Sequence, residues 1–444
     1  MISEIFILPG HNTALVSKRF RCDTDKEAKK IFVQKIKSRD PQHSQPHFKE
    51  NGHYFYYVKR NGLFFVAVSK NEISPVFVIE FLSRFYYICK DFCGVVSEDS
   101  IQANVLLIYE LLDEILDCGY IQLATTEKLR PYIQSEPVLV SEKSPAEDIA
   151  SRLFGIETRV APGSAANKPV VCSNTDLESR KHEIFVDVIE KITAVINADG
   201  TLSRMEVNGS VNMKNFLMGS PQIKMAFNED LTLSKKGADK GYGNHVHLDK
   251  YSFHQCVKQE GFEKSRILTV VPPVGEFSVL TYSVGGDMSV TLPFRLTSAL
   301  EDLDRSRDMM VTLRLRAEIP TSTQAVNVTV SCPVPGNVSS MSQHLTGPGQ
   351  TAIFLSENKH IVWKIKNLPG KTEAVGQFRL INQTGGKMNK QEVGPVAMEF
   401  EVSGYTNTGL QIRYMRVYDR ENSYVPFRWV RYITISDSYI VKIL

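Results

Sequence analysis

The feature that most constrains the fold is a two-residue period of apolar and polar side chains in the C-terminal part of the chain. It is clearest at 311–319, 326–332 and 396–402, where every second residue is apolar. Alternation of this kind is typical of strands that are buried on one face and solvated on the other. Because no long helical pattern separates these runs, we expect residues 182–444 to form an all-β antiparallel sandwich in two subdomains.

Three dipeptides of the kind that closes tight hairpins mark expected turns. Asp199-Gly200 and Asn208-Gly209 follow each other closely and predict two successive hairpins in the C-terminal part. Asn61-Gly62 lies between two apolar, β-prone runs near the N-terminus and predicts a third. Hairpins therefore account for much of the expected strand connectivity.

Residues 1–136 combine strand patterns with helix patterns. A helix is expected to begin at Ser74-Pro75, with serine as the N-cap and proline in the first turn. A second helix is expected where apolar residues from Ile101 to Ile115 are spaced four, three, four and three apart, and it is expected to stop at Gly119. Strands followed by helices predict an α+β domain.

Residues 137–181 have neither period, and proline, small polar and charged residues dominate them. Such a segment cannot bury enough apolar surface to offset the entropy of ordering it. We therefore expect a flexible linker between the two domains.

Composition excludes several classes of function. Hydrophobic residues make up 42% of the chain and charged residues 23%, as in soluble globular proteins, and the net charge of +3 is too small to indicate a nucleic-acid partner. No apolar run approaches the roughly 20 residues that span a bilayer, and the N-terminus lacks the pattern of a signal peptide. The seven cysteines form no Cys-x-x-Cys pair, which argues against a zinc site or a disulfide framework and favours a reducing compartment.

No enzyme signature is present. The chain lacks a Gly-x-Ser-x-Gly elbow, a phosphate-binding glycine loop and a His-Glu-x-x-His helix. His245 and His247 have the spacing of metal ligands on a strand, but no third ligand accompanies them, so a polar loop is the simpler interpretation. We predict no cofactor and no metal, and an esterase-like enzyme is the alternative that a hydrolase screen would test.

Two short stretches have an unusual two-sided character. In the strand expected at 427–433, Trp429 and Arg431 share one face, and in the strand expected at 183–190, Phe185 and Asp187 share one face. Burying a carboxylate between large apolar neighbours is costly without a hydrogen-bond donor. From these residues alone, a core aromatic beside a surface acid is an equally good explanation.

Both stretches resemble the signal-binding strands of the medium (mu) subunits of clathrin-type adaptor complexes, most closely those of adaptor complex four. The resemblance extends over nearly the whole chain. Its other segments are Met1–Leu8, Tyr109–Gln122, Pro272–Phe277 and Ile361–Lys366. The resemblance implies a longin-like N-terminal domain and a C-terminal mu homology domain.

The resemblance also implies a site for tyrosine-based sorting signals of the form Tyr-x-x-Ø, where Ø is bulky and apolar. Positions one and four of an extended peptide point to opposite faces, so the host needs two sockets on opposite sides of one strand edge. The tyrosine socket would consist of Phe185, Asp187, Lys214, Trp429 and Arg431. The Ø socket would consist of Ile184, Val186, Ile412, Met415, Arg428 and Val430.

Four residues of the tyrosine socket have expected roles in this comparison, and Lys214 would lie nearby. Asp187 would accept the phenol hydrogen bond, Arg431 would stack on the ring, and Phe185 and Trp429 would form the walls. A second set of basic residues is a candidate for contact with acidic lipids, although solvated surface lysine is the alternative. This set is Lys235, Lys236, Lys240, Lys364 and Lys366.

As a mu-type subunit, the chain would be a non-catalytic selector of transmembrane cargo for transport from the trans-Golgi network to endosomes and lysosomes. It would work on the cytosolic face of those membranes. Its partners would be two large adaptor subunits, a small (sigma) subunit and, through the complex, an Arf-type GTPase. The apolar helix around Val105–Leu112 predicts that the N-terminal domain needs a large-subunit partner. The alternative is a structural coat subunit whose peptide pocket is degenerate.

Overall fold

The computed structural model divides into two compact units, Met1–His182 with Pro273–Glu276, and Glu183–Pro272 with Phe277–Leu444. The predicted linker, 137–181, lies almost wholly outside the described residues, so its boundaries stay a prediction. The structure describes residues 1–9, 14–24, 27–37, 45–138, 140, 182–217, 221–233, 246–273, 275–285, 291–303, 308–382, 388–419 and 426–443.

The first unit is an α+β domain, as predicted from the strand and helix patterns. Its strands are β1 (Glu4–Pro9), β2 (Val16–Arg19), β3 (His47–Glu50), β4 (His53–Arg60), β5 (Leu63–Ser69), β6 (Leu116–Asp117) and β7 (Tyr120–Ile121). Its helices are α1 (Ala28–Lys37), α2 (Pro75–Cys93), α3 (Glu98–Ala103), α4 (Val105–Ile115) and α5 (Thr126–Leu129).

The main sheet of this unit has the order β2-β1-β5-β4-β3 and buries both of its faces. Alternation along β1 sends Ile5 and Ile7 into the core that contains α2 and α4, and sends Phe6 into a second core around Phe32 of α1. The predicted turn at Asn61-Gly62 closes β4 on β5. No helix in the described ranges is both long enough and apolar enough to cross a membrane.

The single helix expected from Ile101 to Ile115 is wrong, because two helices, α3 and α4, occupy this region. Asn104 separates them, with a backbone that leaves the helical region. Its buried side chain donates to the carbonyls of Ser100 and Val138, at 2.9 Å each, and accepts from the Val138 amide at 2.7 Å. These contacts join the helix break to a segment far along the chain, so apolar spacing alone could not reveal it.

The second unit is built almost entirely of strands, which confirms the predicted all-β domain. Its first strands are β8 (Glu183–Ile196), β9 (Leu202–Asn215), β10 (Gln222–Phe227), β11 (Thr232–Leu233), β12 (His247–Leu248), β13 (Lys250–Phe253), β14 (Val257–Lys258), β15 (Ile267–Val270) and β16 (Gly275–Gly285). The others are β17 (Phe294–Leu303), β18 (Asp308–Ala317), β19 (Gln324–Pro333), β20 (Val338–Leu345), β21 (Gln350–Leu355), β22 (His360–Pro369), β23 (Glu373–Asn382), β24 (Val396–Ser403), β25 (Ile412–Tyr418) and β26 (Phe427–Val441). One short helix, α6 (Phe262–Ser265), and a 3-10 turn (Lys390–Glu392) complete the described elements.

Three larger sheets and the two-stranded pair β11-β12 make up the described part of the second unit. The largest has the order β13-β16-β9-β8-β26-β24-β19-β22-β21. One four-stranded sheet has the order β14-β15-β10-β25 and the other β17-β18-β23-β20. Their inner faces share one core that includes Trp363, which is fully buried.

The hairpin predicted at Asn208-Gly209 is wrong, whereas the one at Asp199-Gly200 joins β8 to β9 as expected. Asn208 and Gly209 lie in the middle of β9. A Cβ atom on Gly209 would lie 2.0 Å from the ring of Tyr282, so this glycine is required for close packing and not for a turn. The distinction depends on a residue that is distant in sequence.

Candidate peptide-binding site

The candidate site is organised by the parallel pairing of β26 with β8. In this register Trp429 lies opposite Phe185 and Arg431 lies opposite Asp187. Because side chains alternate along a strand, all four share one face, and Arg428 and Val430 share the other face with their β8 partners. Two strands separated by most of the domain's sequence therefore bring eight of the eleven residues predicted for the two sockets together.

Two aromatic rings form a wall of the tyrosine socket. Phe185 and Trp429 are stacked, with centroids 6.2 Å apart and an interplanar angle of 10°. Phe216 meets Phe185 edge to face at 5.8 Å. Trp429 keeps 52% of its surface exposed, which is unusual for so large an apolar side chain. The indole is therefore available to an incoming ligand.

Asp187 and Arg431 form a bidentate ion pair beside these rings. Arg431 Nε donates to Asp187 Oδ1 at 2.9 Å, and Nη2 donates to Oδ2 at 2.7 Å. The two side chains remain 27% and 30% exposed, respectively. Since each carboxylate oxygen can accept a second hydrogen bond, Asp187 can accept a phenol while it holds Arg431 in place. The pairing gives Arg431 an orienting partner that the sequence did not indicate.

Lys214 is brought to the same place by the pairing of β9 with β8, where it lies opposite Phe185. It is buried, and its Nζ lies 5.8 Å from the centroid of the Phe216 ring. The sequence predicted only that it would be nearby. Its ammonium group lies over the ring of Phe216, which itself meets Phe185 edge to face.

The first residues of β26 present an open strand edge. On the side away from β8, the pairing with β24 begins at Ile433, and the Gly404 amide donates to the Tyr432 carbonyl at 2.8 Å. Among the residues that the structure describes, no strand other than β8 pairs with 427–430. Alternate backbone groups of this segment are therefore available to an added strand.

The residues predicted for the Ø socket differ in how deeply they are buried. Ile184 and Val186 are fully buried and Met415 nearly so, which makes them the base of this region. Ile412 is partly exposed, and Arg428 and Val430 are exposed. The guanidinium of Arg428 donates to the Met415 carbonyl at 2.7 Å, which joins β26 to β25. An apolar side chain could pack against the more exposed residues, Arg428, Val430 and Ile412, which the buried Met415, Ile184 and Val186 would support.

Sequence reasoning missed Glu190, a fully buried acid of β8. Its carboxylate accepts from the Tyr282 hydroxyl at 2.8 Å, from the Asn407 amide at 2.5 Å, and from the amide and hydroxyl of Thr408. Burial raises the pKa of Glu190, and these hydrogen bonds oppose that shift. Glu190 thereby holds the turn that leads into β25, the strand that carries Ile412 and Met415. The signal in the sequence is an acid on the apolar face of β8.

The candidate lipid-binding lysines divide into two groups. Lys364 and Lys366 lie on the exposed face of β22, on either side of buried Ile365. Lys235, Lys236 and Lys240, like His245, lie outside the described residues. His247 contacts Thr232 and Asp249, and within the described ranges no three His, Cys, Asp or Glu side chains converge as metal ligands would.

Comparison with known proteins identifies the family. A model of the adaptor complexes medium subunit family matches residues 170–443, and one of the clathrin adaptor complex small chain matches residues 1–134. The chain is 35% identical to AP-4 complex subunit mu-1 of Canis lupus familiaris and 34% identical to AP-4 complex subunit mu of Arabidopsis thaliana, each over 100% of both chains. It is 28% identical to AP-2 complex subunit mu of Dictyostelium discoideum over 99% of both.

A homology model of the full-length AP-3 complex in an intermediate open conformation contains a chain of the same fold. The TM-score is 0.60 at 14% identity, and the match covers 100% of both chains. The family match spans the open edge of β26 and both predicted sockets. The chain belongs to the adaptor complexes medium subunit family, whose members are non-catalytic subunits of vesicle-transport complexes, as the sequence predicted.

Proposed function

We propose that this chain selects cargo for a heterotetrameric adaptor complex by binding Tyr-x-x-Ø signals in the cytosolic tails of membrane proteins. The observation that carries the proposal is the register of β26 on β8, which aligns Trp429 with Phe185 and Arg431 with Asp187. An extended peptide would add to the open edge of β26 through backbone hydrogen bonds. Its tyrosine would enter the socket on one face and its Ø residue would pack on the other.

Trp429→Ala tests the proposal. We expect the loss of an exposed aromatic anchor to reduce affinity for a tyrosine-signal peptide by about 2 kcal/mol or more, or at least roughly thirtyfold. The melting temperature should change little because half of the indole is already exposed. The measurement is calorimetric titration of the full-length chain in its complex.

Ile353→Ala is the matched control. Ile353 is 53% exposed and lies on β21, at the far end of the same nine-stranded sheet. It should leave peptide affinity unchanged. Equal affinity of wild type and Trp429→Ala would contradict the assigned site, and absence of any peptide binding would favour a purely structural subunit.

The proposed partners in assembly are two large subunits and a small sigma subunit. In the first unit, α4 buries Leu107, Ile108, Leu111 and Leu112, but Leu106 is 76% exposed. At the start of α2, Val76 and Phe77 are 77% and 56% exposed. Exposed apolar side chains of this size are typical of surfaces that a partner covers.

The double substitution Val76→Ser/Phe77→Ser is expected to reduce the amount of large subunit that co-purifies with this chain, because it removes apolar area from the proposed interface. It should also improve the solubility of the chain expressed alone. Glu80→Ala, on the next turn of α2, is the control and should leave assembly intact. Undiminished recovery of the large subunit with the double variant would exclude this surface.

We place the assembled complex on the cytosolic face of trans-Golgi and endosomal membranes, carrying cargo from the former to endosomes and lysosomes. Lys364 and Lys366 are proposed contacts for acidic lipids there, and recruitment through an Arf-type GTPase is part of the same proposal. The support is the family membership and the exposure of both lysines.

A further inference from the structure

A row of three cations crosses the outer face of the sheet β14-β15-β10-β25. Lys258 of β14 pairs with Thr269 of β15, which pairs with Lys224 of β10, which pairs with Arg416 of β25. Lys258 and Arg416 are exposed and Lys224 is partly exposed. We call Lys258, Lys224 and Arg416 the cationic row.

Repulsion within the cationic row is expected to destabilise the folded protein. Lys224 and Arg416 are directly opposite on neighbouring antiparallel strands, a placement in which like charges repel. In the part of the chain that the structure describes, no carboxylate forms an ion pair with any of the three. An anion supplied from outside would remove the repulsion.

Two tyrosines lie beside the row on the same face of β25. The Nζ of Lys224 lies 5.3 Å from the centroid of the Tyr418 ring, and the guanidinium of Arg416 lies 5.3 Å from that of Tyr414. Both rings are partly exposed, at 44% and 38%. Tyrosine is enriched where membrane proteins meet the lipid headgroups, and basic side chains are attracted to acidic headgroups.

We infer that the cationic row and Tyr414 and Tyr418 form a docking surface for a membrane rich in acidic phospholipids. The positive charge of this face is complementary to an anionic leaflet. It lies on the opposite side of β25 from Met415, which is buried beneath the proposed Ø socket. One strand would then contact lipid on its outer face while it supports cargo binding with its inner face.

The test measures co-sedimentation of the assembled complex containing the full-length chain with phosphatidylcholine vesicles, with and without phosphatidylserine. Each cation near an acidic leaflet should contribute roughly fivefold to the partition coefficient. The variant Lys224→Gln/Arg416→Gln should therefore bind the acidic vesicles roughly thirtyfold more weakly. The neutral vesicles should show no difference, and added salt should reduce the difference between the two proteins.

Three controls separate this surface from overall charge and from misfolding. Lys70→Gln/Lys191→Gln removes two exposed cations elsewhere and should bind nearly as wild type. Lys224→Arg/Arg416→Lys keeps the charges and should also bind as wild type. Lys224→Gln alone should not lower the melting temperature, because it relieves a repulsion.

Three results would overturn the inference. The first is unchanged vesicle binding by Lys224→Gln/Arg416→Gln, and the second is an equal loss in the Lys70 and Lys191 control. The third is a Lys224→Gln/Arg416→Gln variant that no longer binds a soluble polyglutamate peptide but still binds the vesicles. That result would make the row a site for acidic peptides. Tyrosine-peptide affinity should stay unchanged throughout, so failure here is distinguishable from failure of the cargo site.

Discussion

A peptide in which phenylalanine replaces the signal tyrosine is expected to bind roughly ten- to a hundredfold more weakly than the tyrosine peptide. The phenol would donate to the ionised carboxylate of Asp187, and a hydrogen bond to a charged acceptor contributes about 1.5–3 kcal/mol. The Phe185 and Trp429 walls would bind either ring, so the difference reports mainly the hydroxyl. Titration of both peptides into the same protein measures it.

The Asp187–Arg431 ion pair determines how this experiment must be designed. Asp187→Ala removes the acceptor and also releases Arg431, so its effect on the tyrosine peptide alone exceeds the phenol hydrogen bond. The phenylalanine peptide corrects for this, because it experiences the release of Arg431 but not the loss of the phenol contact. We therefore expect a double-mutant cycle to show a clear coupling between Asp187 and the peptide hydroxyl.

The stability of the protein should hardly change in Asp187→Ala. The pair is more than a quarter exposed, and ion pairs of this kind contribute about 1 kcal/mol or less. Equal affinity of the tyrosine and phenylalanine peptides for the wild type would show that Asp187 is not the acceptor. A coupling of zero would lead to the same conclusion.

Glu190→Ala is expected to destabilise the second unit by roughly 3–5 kcal/mol. It leaves the Tyr282 hydroxyl, the Thr408 hydroxyl and two backbone amides buried without their acceptor. It should also weaken peptide binding, because the released turn leads into β25. Denaturant unfolding and peptide titration measure the two effects, and an unchanged midpoint would contradict the proposed role of Glu190.

Glu190→Gln is the matched variant and should be milder. One amide oxygen can still accept from the two hydroxyls, but the new NH₂ group faces the two backbone amides, which are also donors. We expect it to fall between the wild type and Glu190→Ala in stability.

The same pair of proteins gives a pH dependence with a definite sign. Burial raises the pKa of Glu190 above its value in the unfolded chain, so the folded state binds more protons between these two pKa values. The stability of the wild type relative to Glu190→Gln should therefore rise as the pH falls from the folded-state pKa towards the unfolded one. If the relative stability fell as the pH was lowered through this window, the raised pKa of Glu190 would be contradicted.

The sequence by itself determined the elements whose signal is local. Alternation at 311–319 and 326–332 predicted strands of the sandwich, and Asn61-Gly62 predicted a hairpin, because both patterns follow from the backbone geometry of a few neighbouring residues. The residues proposed for both sockets were also available from the sequence, through the resemblance of 183–190 and 427–433 to signal-binding strands.

Only the tertiary structure decided the features that depend on residues far apart in the chain. The break at Asn104 depends on Val138, and the glycine in β9 at 209 depends on the Tyr282 ring. The bidentate ion pair of Arg431 with Asp187 joins residues near the beginning and the end of the second unit's sequence. Such contacts form only when the sheets pack, so no periodicity within one segment can predict them. For the same reason, the role of Glu190 could not be predicted from its own strand. Its carboxylate holds a turn through hydrogen bonds with Asn407 and Thr408, which are distant in sequence.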